Sequence, residues 1–285
     1  QDQQDQSQEK NPARKRLQEA EEKMREAQRQ LEEANRGESI DAQREAEEKL
    51  REAIAELEEI LRQMREEEIE RMLALLEGRF KRMLQMQLRV YEGTLRLSKI
   101  PKEQRNRAVD IQANKLAFDE RKIVVEADRA LNLLLEEGSS IAFPEVVQQM
   151  RDDMDSVSER LSRTRIDRLT QGIEEEIILS LEELIEALKQ AQQDLEEQKS
   201  ESQPQQQSEP GDEPLVDMLA ELRMIRSLQL RINRRTKRYS QMIVDPDQPL
   251  AQAEDVDLQT ALQGLAEREA KLQKITRDIV LGKNK

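Results

Sequence analysis

Apolar residues along this chain recur at alternating steps of three and four, the spacing that lines one side of an α-helix. Leu17, Ala20, Met24, Ala27, Leu31 and Ala34 form a narrow seam of the coiled-coil kind. Asn11-Pro12 supplies a cap and a first-turn proline for the helix that carries this seam, and Gly37 a C-terminal stop. Ser39 or Asp41 caps the second predicted helix, whose seam Leu50, Ile54, Leu57, Leu61, Met64 resumes after a longer step as Ile69, Leu73, Leu76, Phe80, Met83. From Ile69 to Leu97 apolar residues cover about half of the helical circumference, Met86, Leu88, Val90, Tyr91 and Leu95 included, so this stretch needs more than one neighbour.

Ile100-Pro101 ends that helix, because proline cannot continue the hydrogen-bond ladder. A third helix is predicted over Lys102 to Glu137, closing on Gly138. The fourth opens at Phe143-Pro144 and carries one seam from Val147 to Leu195, with Gly172 as a possible bend. The fifth runs from Pro214 to about Val244 and the sixth from about Asp255 to Leu281, with a turn at residues 245–249. Residues 1–11 and 199–213 are rich in Gln, Ser, Asp and Glu and poor in apolar residues, which predicts a disordered tail and a flexible linker. The expected organisation is therefore a tail at 1–11, a coiled-coil stalk at 12–98, two long helices at 99–198, the linker at 199–213 and a helical hairpin at 214–285. A helix from Asp41 to Ser98 would be about 87 Å long. The expected fold is all-α, an elongated antiparallel bundle of about six helices with short turns joining neighbours.

Composition narrows the chemistry. The 285 residues contain no His and no Cys, which removes the imidazole base, the thiolate, the disulfide and the usual zinc and haem ligands. No glycine-rich phosphate loop occurs, and the serines lack a His partner. The expectation is a protein that is not an enzyme and has no catalytic, cofactor-binding or metal site, no cofactor and no small-molecule substrate. The longest apolar run, around Ile177 to Leu179, is too short to span a membrane. The net charge of −14 disfavours general nucleic-acid binding. Glu174, Glu175, Glu176, Glu182, Glu183 and Glu186 form the densest carboxylate cluster, which helical spacing reads as a solvated acidic face.

Two stretches run against the net charge. Arg79, Lys81, Arg82, Arg89, Arg96, Lys99, Lys102, Arg105 and Arg107 face only Glu92 and Glu103. In the fifth helix Arg223, Arg226, Arg231, Arg234, Arg235, Lys237 and Arg238 occupy one arc, opposite Met218, Leu222, Ile225, Ile232 and Tyr239. Planar guanidinium groups suit carboxylate or phosphate, so the arc is open to acidic faces of this chain or a partner helix, to an anionic polymer or lipid headgroup, or to nucleic acid. The candidate partner-binding residues are Met218, Leu222, Ile225, Ile232 and Tyr239 with Arg231, Arg234, Arg235 and Arg238. The apolar arc is expected to dock, on the bundle or on a partner, and to leave the basic arc available to an acidic surface.

The stretches PLVDMLAELRMIRSLQLRINRRTKRY (Pro214 to Tyr239), LQKITRDIVLG (Leu272 to Gly282) and EEEIILSLEELIEALKQAQQDLE (Glu174 to Glu196) resemble uncharacterised helical envelope proteins of planctomycete-like bacteria, a group associated with Tol/Exb-type biopolymer-transport genes. The resemblance covers mainly the C-terminal third and carries no catalytic motif. It implies an exported, non-enzymatic helical protein with envelope or Tol/Exb-type components among its partners; the missing chemistry and the extended seams add the expectation of a structural or adaptor role through helix–helix contacts, homo-oligomers included. A start at Gln1 without an initiator Met fits either removal of a secretory signal or a trimmed chain. The competing reading is a cytoplasmic coiled-coil protein whose Arg-rich helices hold an anionic partner: nucleic acid, polymer or lipid surface.

Overall fold

A computed structural model describes residues 12–32, 36–200, 218–242 and 256–281. The fold is all-α. Seven α-helices occur among the described residues: α1 (Pro12–Glu32), α2 (Arg36–Ser98), α3 (Arg107–Glu137), α4 (Ala142–Ser162), α5 (Arg168–Ser200), α6 (Met218–Met242) and α7 (Val256–Val280). The tail expected at 1–11 and most of the linker lie outside the described residues. The chain divides into two compact units that separate at Ile69, α2 contributing to both.

In the first unit α1 and the start of α2 form a helical hairpin tied by Lys23 to Glu45 at 2.7 Å and Lys49 to Glu19 at 3.9 Å. Its seam differs from the expected one. Ala20, Ala42, Ala46 and Ala53 are buried, whereas Leu17, Met24, Ile54, Leu57, Leu61 and Met64 remain exposed. Small side chains allow the two backbones to approach, and that approach rotates the larger apolar positions outward. Gly37 falls inside the first turn of α2 rather than ending α1.

The second unit is a bundle in which α3 packs along α4, α4 along α5, and the α6–α7 hairpin against α4 and α5. Its core holds Leu73, Leu76, Phe80 and Met83 from α2, Ile123 and Leu134 from α3, Phe143, Met150 and Met154 from α4, and Ile177 from α5. The wide apolar face of α2 thus meets several neighbours. Gly93 lets α2 and α3 approach, since a Cβ there would lie 2.5 Å from Leu116 Cδ2. At Gly138, φ is 76° and the N–H donates to Leu134 O at 3.2 Å, a left-handed stop to α3.

Two boundaries were misplaced by the periodicity. The third predicted helix begins as a 3-10 turn at Lys102–Gln104, and α3 starts only after Asn106, whose side chain accepts from Ala108 N at 3.0 Å. The long fourth helix is two. The chain breaks at Thr164, which adopts a left-handed φ of 56° and donates to Asp110 Oδ1 at 2.8 Å. Asp167 then caps α5 by accepting from Thr170 N at 3.0 Å. Gly172, the expected bend, lies within α5 beneath Arg238. The extra helix raises the count from about six to seven.

Candidate functional site: the arginine face of the C-terminal hairpin

Helix α6 is inserted with the opposite preference from the one its composition suggests. Arg231 and Arg235 are 2% and 4% exposed, whereas Met218 and Leu222 are 50% and 46% exposed. Met224, Leu228, Ile232 and Tyr239 are buried beside the arginines, and Ile225 is half-buried. The buried face therefore mixes both expected arcs. Tyr239 packs with Leu258 and Leu265 of α7 and with Leu169 of α5.

The arginines reach carboxylates carried by two helices, α4 and α5. Arg235 forks onto Asp153 of α4, donating Nη1 to Oδ1 at 2.9 Å and Nη2 to Oδ2, while its Nε donates to Glu176 Oε2 of α5 at 2.5 Å. Arg268 of α7 makes a second fork, Nη1 to Asp153 Oδ2 at 3.0 Å and Nη2 to Oδ1 at 2.5 Å. Burial alone would push the Asp153 carboxyl up, but the two guanidinium groups outweigh it and hold the group well below the usual carboxylate range. Glu183 gathers Arg231 at 3.4 Å, Arg234 at 3.8 Å and the Ser227 hydroxyl. Arg238 donates to Gly172 O at 2.6 Å and to Glu175 Oε2 at 3.3 Å. Further along, Glu221 of α6 accepts from Ala142 N at 2.6 Å and Ile141 N at 3.2 Å, capping α4 from another part of the chain.

These pairs correct two expectations. Of the basic arc, Arg231, Arg234, Arg235 and Arg238 are engaged by acidic faces of this chain, one of the alternatives the sequence left open, and only Arg223, Arg226 and Lys237 are left available among the described residues, rather than the whole arc. The carboxylates from Glu174 to Glu186 are also not all solvated: Glu174 and Glu176 are buried, Glu175 and Glu183 half-buried, and only Glu182 and Glu186 exposed. The two errors share one cause. A wheel places charge on the outside, but opposite charges brought together by tertiary packing satisfy one another inside.

A second polar layer sits where α2, α3 and α5 meet. Thr94 donates to Glu174 Oε1 at 2.7 Å, and Tyr91 donates to Glu175 Oε1 at 2.7 Å. Glu120 and Gln87 are fully buried and face one another without well-formed hydrogen-bond geometry. Burial, reinforced by Glu174, pushes the Glu120 carboxyl well above its ordinary value, and burial pushes Glu174 up to about 8. Nothing in the sequence announced this layer, because Glu120 and Glu174 lie in ordinary helical surroundings and meet only in the bundle.

Among the described residues no group of three or more carboxylates is placed to hold a metal ion, and no helix is long and apolar enough to cross a membrane. Fold and interior together define an all-α helical bundle whose C-terminal hairpin is registered by buried ion pairs. No protein-family model, curated protein or solved structure matches the chain.

Proposed function

We propose that this is a non-enzymatic structural or adaptor protein that works through helix–helix contacts with other proteins, in the cell envelope as the resemblance implies. The observation that carries the reading is the set of large apolar side chains left exposed at helical repeat on a chain that is 38% charged: Ile111, Phe118 and Val125 in the second unit, Leu57, Leu61 and Met64 in the first. Large apolar side chains left exposed at a regular repeat along one helix face support an interaction surface. The ion-paired interior supports a frame role as well, since it spends its charges on holding helices in register. The competing reading, an anionic partner on Arg-rich helices, loses support at Arg231, Arg234, Arg235 and Arg238 of α6, which are paired within the chain, and keeps it at α2.

In-cell photo-crosslinking from position 118, with position 263 as an exposed control, tests the reading. A discrete adduct from 118 alone is expected. Equal or absent adducts at both positions would sink it. Export of the encoded precursor tests the envelope assignment separately.

A further inference from the structure

Helix α6 keeps one face outside the bundle. Leu219, Leu222 and Leu230 are 52%, 46% and 43% exposed, and they share that face with the exposed Arg223, Arg226 and Lys237. At about 3.6 residues per turn the six lie within an arc of about 100°, spread over about 27 Å of helix. The opposite arc holds Met224, Leu228, Arg231 and Arg235, all buried, so burial and periodicity agree on which way the six point. Arg223, Arg226 and Lys237 pair with no carboxylate among the described residues. The one acid of α6, Glu221, is buried and caps α4. Arg234 stands at the edge of the arc and is held by Glu183 at 3.8 Å.

Every leucine of this face has a cation one turn away: Leu219 beside Arg223, and Leu222 and Leu230 on either side of Arg226. A partner must therefore accept apolar and cationic groups together. A partner helix finds no continuous apolar seam, because the 3–4 row begun by Leu219 and Leu222 runs into Arg226, Gln229 and Asn233. Single-stranded nucleic acid binds through aromatic stacking, and the face carries no aromatic side chain, Tyr239 being buried. An anionic lipid surface meets both needs. Its phosphates accept from guanidinium and ammonium groups, its acyl boundary takes leucine, and a fluid surface requires no register. Long arginine and lysine stems keep the charge at phosphate level beside an inserted leucine. The carboxylates bordering the face are themselves engaged, Glu183 by Arg231 and Arg234, and Glu269 by Gln229 at 3.0 Å. On α2, by contrast, the exposed Arg82, Arg89 and Arg96 have the exposed Glu92 among them.

We infer that the outer face of α6 rests on an anionic phospholipid surface, with Leu219, Leu222 and Leu230 entering the boundary between headgroups and acyl chains and Arg223, Arg226 and Lys237 set against phosphates. The contact is peripheral: it inserts side chains, not a helix. It is additional to the protein partners proposed above, and a crosslink from position 118 does not depend on it. The net charge of −14 opposes approach of the molecule as a whole to an anionic surface, so this face orients the contact and makes it salt-sensitive.

The test uses the full chain and two kinds of vesicle, phosphatidylcholine alone and phosphatidylcholine mixed with phosphatidylglycerol, followed by co-sedimentation. Wild type is expected to bind the mixed vesicles and not the neutral ones. A basic residue near an anionic surface contributes about fivefold in binding, so R223Q/R226Q/K237Q should lower affinity at least about tenfold. L219Q/L222Q/L230Q should lower it as well, and R82Q/R89Q/R96Q should bind as wild type does. The chain contains no Trp, so L230W supplies a single reporter. Its emission should shift to the blue on mixed vesicles and be quenched by brominated acyl chains, whereas Q85W on α2 should show neither effect. This reporter keeps the test decisive even where the glutamine variants melt early. Wild type that binds both vesicles equally, or neither, overturns the inference. So does an equal loss in R82Q/R89Q/R96Q, or L230W emission that the mixed vesicles leave unchanged. Tighter binding of single-stranded DNA or of a Glu-rich helical peptide through the same residues also overturns it, as does a concentration-dependent homodimer that L219Q/L222Q/L230Q abolishes. Absent vesicle binding with a discrete crosslink still formed from position 118 would sink this inference alone; loss of both would sink the adaptor reading too.

Discussion

Asp153 accepts two guanidinium forks in an interior that excludes water, and this arrangement decides how its removal should be felt. Arg235 would keep only Glu176 and the half-buried Arg268 would lose both bonds of its fork, so Asp153→Ala is expected to cost about 3 kcal/mol by chemical denaturation. Arg234, exposed and 3.8 Å from Glu183, should cost only ~0–1 kcal/mol when replaced by Ala. Similar losses for the two would show that the buried pairs contribute no more than surface ones. Of the residues singled out in the sequence, Arg231, Arg234, Arg235, Arg238, Ile232 and Tyr239 all contact the rest of the second unit, but the reason was not legible. Periodicity reports which side chains share a face. It does not report that Asp153 and Glu176, on other helices, wait opposite.

At the scale of elements, the hairpin α6–α7 and helix α4 stabilise each other through Glu221, which supplies the N-terminal cap that α4 lacks from its own sequence. Glu221→Ala should therefore fray α4, not α6, at a cost of about 0.5–2 kcal/mol. Hydrogen exchange at Ala142 should speed up; an effect confined to α6 would refute the cap. Close approach of α2 and α3 at Gly93 makes a second case. Gly93→Ala adds a methyl where Leu116 already sits, and overpacking of this kind costs about 1–3 kcal/mol. A companion Leu116→Ala should recover part of that loss in thermal melts. Caps with a local signature, Asn106 and Asp167, could have been read from the sequence; the long-range cap could not.

For the molecule as a whole, Glu120 and Glu174 make stability depend on pH. Both carboxyls are raised in the folded state, Glu174 to about 8, so the fold keeps protons that the unfolded chain releases above about 4.5. The unfolded state then binds fewer protons, and stability falls with rising pH across that window. This contribution is complete below the ordinary carboxylate range and is lost as pH passes through the folded values. Melting temperature should decline from pH 5 toward pH 9 in wild type, and E120Q/E174Q should flatten the decline. An unchanged slope in the double variant would show that these groups do not titrate inside the fold.

The sequence by itself determined that the chain is helical, where most helices run, and that Gly138 and Pro101 end them, because helix propensity, capping and the 3–4 repeat are local properties. It also determined which residue types were available, leaving no imidazole and no thiolate. Only the tertiary structure decided the side each helix presents. Alanines rather than leucines close the first hairpin, Thr164 rather than Gly172 breaks the long helix, and Arg231 and Arg235 of α6 turn inward while Arg82, Arg89 and Arg96 of α2 stay out. The physical reason is common to all three. Burial of a charge or exposure of a leucine depends on what the opposite helix offers, and that pairing energy is set between segments far apart in the chain.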